Sequence, residues 1–221
     1  IAAVRGTHAA DQEKPMWDQM DCQSSPWCVE NEQPLKKVLD RVKSLFDTTG
    51  TKPPFKDKDG KIVEVSINLV DDGPVLQRQW RLSPEKQEML DKYLDELVER
   101  GIIQPTKYSS YATTTILVPK KGQFNPDGSQ RMRVVQDYRA LNRKIRKLAY
   151  TGLTAQELFD NIGDAKMFST WDISEAFYSL KIKPSDTEKT TFWGGARGLF
   201  KYLRLPMGLS VSPQVLTNEF L

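Results

Sequence analysis

The sequence predicts an α+β fold, an antiparallel sheet packed with helices and preceded by a poorly structured N-terminal extension. Three observations predict it. A capped amphipathic helix runs over 83–101, with Ser83 as N-cap, Pro84 at the first helical position and Gly101 at its end. Two hairpin patterns, 114–138 and 190–205, pair apolar runs across glycine-containing turns. Residues 1–34 lack sustained periodicity, carry an excess of four negative charges and contain Pro15, Pro26 and Pro34.

At 221 residues the chain is long enough for one full core, or for one domain with an extension. Hydrophobic content of 38% and charged content of 28% suit a soluble globular protein. No apolar run approaches the roughly 20 residues that span a bilayer, so no membrane partner is expected. The chain starts at Ile1 without a signal-peptide pattern, which predicts a fragment of a longer product. Cys22 and Cys28 are too few for a disulfide framework, and with His8 they do not supply the ligand set of a zinc site. A reducing, intracellular and cytoplasmic setting is expected. Charge is uneven: residues 35–103 are balanced, whereas 104–205 carry an excess of eight positive charges. A polyanion such as nucleic acid or a nucleoside triphosphate would be drawn there, although the same excess can face water.

The elements follow in order. Leu35, Val38, Leu39, Val42 and Phe46 recur at helical spacing over 35–46. Residues 47–50 read as a turn. A Pro- and Lys-rich loop with an Asp59-Gly60 turn signal precedes a strand over 61–69, in which Val63, Val65, Ile67 and Leu69 oppose polar neighbours. Met89, Leu90, Tyr93, Leu94, Leu97 and Val98 form the stripe of the 83–101 helix. Strands over 114–121 and 130–138 flank an Asn-Pro-Asp-Gly turn at 125–128. Thr154 and Glu157 make a capping box for a short helix with Leu158, Phe159 and Ile162, ended by Gly163. Residues 167–172 read as a strand ending in Asp172, followed by small and polar residues and then Phe177 and Tyr178. The second hairpin turns at 194–198, the Leu-Pro-Met-Gly run at 205–208 is a turn, and Ser212 and Pro213 cap a last helix.

Two groups carry candidate chemistry. A carboxylate at the end of a buried strand, followed by a tight turn and aromatics, suits a hard metal ion; Asp172 equally suits the cap of the next helical turn. Lys120 and Lys121 lie near the tip of the first hairpin, and Arg131 and Arg133 share a face of its returning strand. Such cations can clamp a triphosphate or simply keep a hairpin solvated. Arg143, Lys144, Arg146 and Lys147 present the same choice between a nucleic-acid backbone and water.

These parts, in this order, resemble a reverse transcriptase of the long-terminal-repeat retroelement type, closest to the Ty3/gypsy-like group. The resemblance covers about 63–221. It rests on LSPEKQEMLDKYLDELVERGII, RMRVVQDYRALNRK, FSTWDISEAFYSLKI, EKTTFWGGARGLFKYLRLPMGL and SPQVLTNEF. It implies a right-hand polymerase, with fingers over about 82–148, a palm from about 150, and 1–62 as a connector of the kind that joins a protease to the polymerase. No protease signature is present.

The resemblance further implies that Asp172 is the first of three catalytic aspartates binding two Mg²⁺ ions (Mn²⁺ being an alternative), with the Ile173 carbonyl as a further ligand. Lys120 or Lys121 with Arg133 would grip the incoming triphosphate, and Arg131 is a weaker match. Glu175 and Ala176 match the turn whose backbone receives phosphate oxygens. Phe177 matches the steric gate against a ribose 2′ hydroxyl, with Tyr178 in support. Met207 stands where relatives often carry glutamine or an aromatic residue against the nucleotide. Trp171 is bulkier than the usual aliphatic neighbour of the aspartate. The implied partners are an RNA or DNA template with a primer, and dNTPs; a virus-like particle is a further implied location. The Tyr-X-Asp-Asp hairpin is absent from the sequence, so the chain alone is not expected to polymerise. A competing reading is a non-catalytic nucleic-acid-binding remnant of a degraded retroelement.

Overall fold

The computed structural model describes residues 26–42, 53–124, 128–147, 154–165 and 175–220. In chain order the helices and strands are α1 (Pro26–Glu30), α2 (Glu32–Val42), β1 (Glu64–Val65), β2 (Val75–Leu76), α3 (Pro84–Glu99), β3 (Ile103–Thr106), β4 (Tyr111–Ala112), β5 (Thr115–Phe124), β6 (Gln130–Gln136), α4 (Arg139–Asn142), α5 (Ala155–Ile162), β7 (Lys181–Ile182), β8 (Phe192–Trp193), β9 (Leu199–Tyr202) and α6 (Ser212–Phe220). Short 3₁₀ segments occupy Ala176–Ser179, Pro184–Thr190 and Gly195–Arg197. The expected strand ending in Asp172, the turn at 47–50, residues 125–127 of the turn at 125–128, residues 43–46 of the expected 35–46 helix, and residues 1–25 of the extension lie outside the described residues.

The chain divides into two compact units. In one, the described residues are 26–42 and 154–165. Residues 26–34 were expected to lack structure, yet they form α1 and the first turn of α2. The prolines explain this. Pro26 opens α1, and Pro34 lies in the first turn of α2, where an N–H has no intrahelical acceptor to lose. Lys36 pairs with Glu32 at 2.5 Å, and Cys28 and Leu39 are buried. In α5 the expected capping box is present, and Gly163 closes the helix at φ 50°. Leu158 and Phe159 of this helix are 51% and 66% exposed.

The other unit, 50–150 with 175–221, holds the core. Ser83 accepts a hydrogen bond from the Lys86 N–H at the start of α3, and Gly101 leaves the helix at φ 62°. Leu90, Leu94 and Leu97 are buried by this helix, each contributing about 1.5–3 kcal/mol of transfer free energy. Met89 and Val98, expected in the same stripe, stand at its edges and are 37% and 39% exposed. The stripe packs on an antiparallel sheet of order β3-β9-β8, in which Ile103 faces Tyr202 and Phe192 faces Phe200. Gly194 lets this sheet approach α3: a Cβ there would meet the Phe200 ring at 2.6 Å and Leu94 at 3.0 Å.

The second antiparallel pair is the expected hairpin, β5 with β6, regular from Thr115↔Gln136 to Pro119↔Met132 and shifted in register beyond. Two short parallel pairs, β1-β7 and β2-β4, complete the sheets among the described residues and were not read from the sequence. The alternation expected over 61–69 is present in burial, with Val65 and Ile67 inside, but only Glu64 and Val65 join a ladder. Upstream, the Asp59-Gly60 turn forms as expected: the Asp57 carboxylate accepts the N–H groups of Asp59 and Lys61, and Gly60 adopts φ 78°. Among the described residues no helix is long and apolar enough to cross a membrane.

Candidate nucleotide site

The 3₁₀ turn Ala176–Ser179 is built around an unusual backbone. Glu175 enters it at φ 50°, ψ 36°, the one positive φ of a non-glycine residue among the described residues. The left-handed region costs an L-residue roughly 1–2 kcal/mol. The Glu175 carboxylate meets the Arg100 guanidinium through both oxygens, the longer contact being 3.4 Å to Nη1. Arg100 also donates to Glu96 at 2.9 Å and is only 17% exposed. The Glu175 hydrogen bond is the main cause of a raised Arg100 pKa. Ser179 Oγ donates back to the Ala176 carbonyl at 2.5 Å, and the Ser179 carbonyl accepts the Phe55 N–H at 2.8 Å. Phe177 is half-buried and packs against the core.

Tyr178 ties the same turn to the sheet. Its ring stacks on Tyr202 at 6.3 Å, and its hydroxyl lies 3.3 Å from that of Tyr93 on α3. Tyr202 donates to Gln136 Oε1 at 3.1 Å, and Tyr138 donates to the Thr190 carbonyl at 2.9 Å. Burial pushes all three phenols, Tyr138, Tyr178 and Tyr202, well above their ordinary pKa, so they stay protonated.

The loop carrying Met207 is anchored at both ends. Leu205 N–H donates to the Leu180 carbonyl at 2.9 Å, and Arg204 Nη1 reaches the Tyr178 carbonyl at 3.4 Å. Burial lowers the Arg204 pKa. At the far end, the Asn142 side chain donates to the Gly208 carbonyl and accepts the Ser210 N–H, both at 2.8 Å. Gly208, at φ 93°, lies against Tyr138 and the Gln136 carbonyl. Met207 itself is 55% exposed. Ser212, expected as a helix cap, instead donates its hydroxyl to the Pro206 carbonyl and closes this loop.

Phe177, Met207 and the root of β6 therefore belong to one bonded framework. The hairpin cations are not bonded into it. Arg133 faces Val118 in the regular ladder, Arg131 shares its face, and Lys120 and Lys121 fall where the register shifts. Among the described residues the side chains of these four make no hydrogen bond or ion pair. Lys144 is committed elsewhere: it pairs with Asp71 and donates to the Gly73 carbonyl, both at 2.8 Å.

Asp172 and Ile173 lie outside the described residues. Among the described residues no three His, Cys, Asp or Glu side chains cluster so as to hold a metal ion, so these residues alone do not fit a metal centre. Sequence reasoning missed Arg100 and Asn142 as supports. Arg100 lies seven residues after Tyr93, on the same helix face, but nothing local names its partner.

Residues 118–219 match the family model described as reverse transcriptase (RNA-dependent DNA polymerase). Over 175 residues the chain is 31% identical to the retrovirus-related Pol polyprotein of transposon gypsy from Drosophila melanogaster, covering 79% of this chain and 16% of that protein. The chain thus spans about a sixth of this relative's length. A crystal structure of prototype foamy virus protease-reverse transcriptase superposes with a TM-score of 0.71 at 25% identity, over 90% of this chain and 25% of the viral one. The foamy viral protease-reverse transcriptase in complex with double-stranded DNA gives 0.67 at 25% identity, over 90% and 33%.

Proposed function

The chain belongs to the reverse transcriptases of Ty3/gypsy-like long-terminal-repeat retroelements, and from that premise we propose that it forms the fingers and the first part of the palm of an RNA-directed DNA polymerase. The product carrying it extends a primer 3′ end on an RNA or DNA template, consumes dNTPs and releases pyrophosphate. One observation carries the proposal further than the family alone. Candidate nucleotide residues distant in sequence converge on one framework, with the Phe177 turn and the Met207 loop joined through Leu180–Leu205 and Tyr178–Arg204.

Phe177 packs beneath the nucleotide sugar and leaves no room for a 2′ hydroxyl, which selects dNTPs. The backbone at Glu175 and Ala176 receives phosphate oxygens, and Met207 borders the base. Arg133, with Lys120 or Lys121, grips the triphosphate, and Arg131 adds charge; that their side chains make no ion pair among the described residues supports this role. Asp172 and the Ile173 carbonyl hold Mg²⁺ or Mn²⁺, which stabilises charge on the attacking and leaving oxygens. Such a centre takes further carboxylates besides Asp172. The basic half of the sequence supports a nucleic-acid duplex as partner.

The test is primer extension with dNTPs and Mg²⁺ by the longest polypeptide that carries this sequence, beside its Asp172→Asn variant. DNA synthesis that disappears in the variant is expected. Salt-sensitive nucleic-acid binding without synthesis in either form would favour a non-catalytic remnant. Synthesis that survives the substitution would place the catalytic carboxylate elsewhere.

A further inference from the structure

We propose that the face of α3 formed by Tyr93 and Leu97, continued by Arg100 at its C-cap, positions the Phe177 turn, and that Arg100 and Tyr93 are positioning residues for nucleotide selection. The inference rests on the reading that Phe177 meets the nucleotide sugar.

Tyr93 and Arg100 are seven residues apart, almost two full turns, so they lie on one stripe of the helix. Leu97 lies between them and is 2% exposed, which fixes that stripe in the core. The two residues that α3 ties are Glu175 and Tyr178. Phe177 sits between these two ties. A helix held by buried leucines thus grips the turn on both sides of the aromatic ring.

The ion pair also has an electrostatic consequence. A free carboxylate at Glu175 would repel the triphosphate that the neighbouring backbone receives. Arg100 engages both Glu175 oxygens and is itself oriented by Glu96, so the Glu175 charge is largely offset before a nucleotide arrives. The same contact holds Glu175 in a left-handed conformation that an L-residue adopts reluctantly. Tyr93 supplies a second tie that carries no charge.

Arg100→Gln, Arg100→Lys and Tyr93→Phe variants of the longest polypeptide carrying this sequence test the idea, with Glu175→Gln as the partner control. We expect Arg100→Gln to raise the KM for dNTP about tenfold, within the roughly hundredfold loss that a misplacement of about 1 Å can cause. The preference for dNTP over rNTP should fall by a similar factor, with kcat at saturating dNTP little changed and partial recovery in Arg100→Lys. Amide hydrogen exchange should accelerate across 175–180 and stay slow at Leu90, Leu94 and Leu97.

Unchanged exchange across 175–180 in Arg100→Gln would overturn the inference. So would an active parent whose Arg100→Gln variant keeps the dNTP KM and the sugar preference. A parent that extends no primer, with exchange still accelerated in the variant, would leave the mechanical tie standing and overturn the polymerase reading together with the nucleotide role built on it.

Discussion

Asp186 and Lys189, three residues apart in one 3₁₀ segment, form an ion pair at 2.8 Å that takes both main-chain polar groups of Ile67. Asp186 accepts the Ile67 N–H at 2.9 Å, and Lys189 donates to the Ile67 carbonyl at 2.7 Å. Ile67 is fully buried just past the end of β1, where the ladder has stopped supplying partners. The pair acts as a substitute strand edge.

Asp186→Ala should therefore cost more than a surface ion pair. It leaves a buried N–H unsatisfied and strips a largely enclosed ammonium of its counter-charge, a loss of about 3 kcal/mol. Asp186→Asn keeps an acceptor for Ile67 and should cost about half as much. Urea denaturation midpoints of the two variants measure the difference, and equal midpoints would mean that the Ile67 contact contributes nothing.

Gly194 and Gly60 separate steric crowding from backbone freedom. At Gly194 φ is −86°, which any residue adopts, but a Cβ would press into Phe200 and Leu94. Gly194→Ala should cost about 1–3 kcal/mol through overpacking. At Gly60 φ is 78° and the space is open, so Gly60→Ala should cost only about 1 kcal/mol of backbone strain. Thermal unfolding of the two variants ranks the effects, with Gly194→Ala expected to be the less stable.

Arg139 hydrogen bonds to Asp137 and is the main cause of a carboxyl pKa lowered below its usual value. A carboxylate with a depressed folded-state pKa binds fewer protons in the folded than in the unfolded state at acid pH. Its contribution is complete above the unfolded pKa, about 3.9, and is lost as pH falls through the lower folded value. Arg139→Gln should lower Tm modestly at neutral pH, and the gap to the parent should close only below about pH 4. A gap that stays constant down to the acid limit would remove the ion pair as its cause.

Much of this fold was legible because its signals are local. The N-cap and proline that open α3, the capping box of α5, and the turns at 59–60 and 194–198 depend on residues within a few positions of one another. The β5-β6 hairpin was readable for the same reason. The parallel pairs were not, because Glu64 finds Lys181 and Val75 finds Tyr111 across long intervals with no sequence signature. The same limit applies to the site. Phe177, Met207, Arg131 and Arg133 stand out in their own segments, whereas Arg100 bonds the carboxylate of a residue 75 positions away and Asn142 a main-chain carbonyl 66 positions away.

Sugar selection at Phe177 tests the central claim most directly. The measurement is incorporation of a single dNTP and of the matching rNTP opposite a templating base, by the longest polypeptide carrying this sequence and by its Phe177→Val variant. The parent should prefer the deoxynucleotide by at least about a hundredfold, and the variant should lose most of that preference while still incorporating dNTP. A parent and a variant that discriminate equally would contradict the assignment of this turn to the nucleotide.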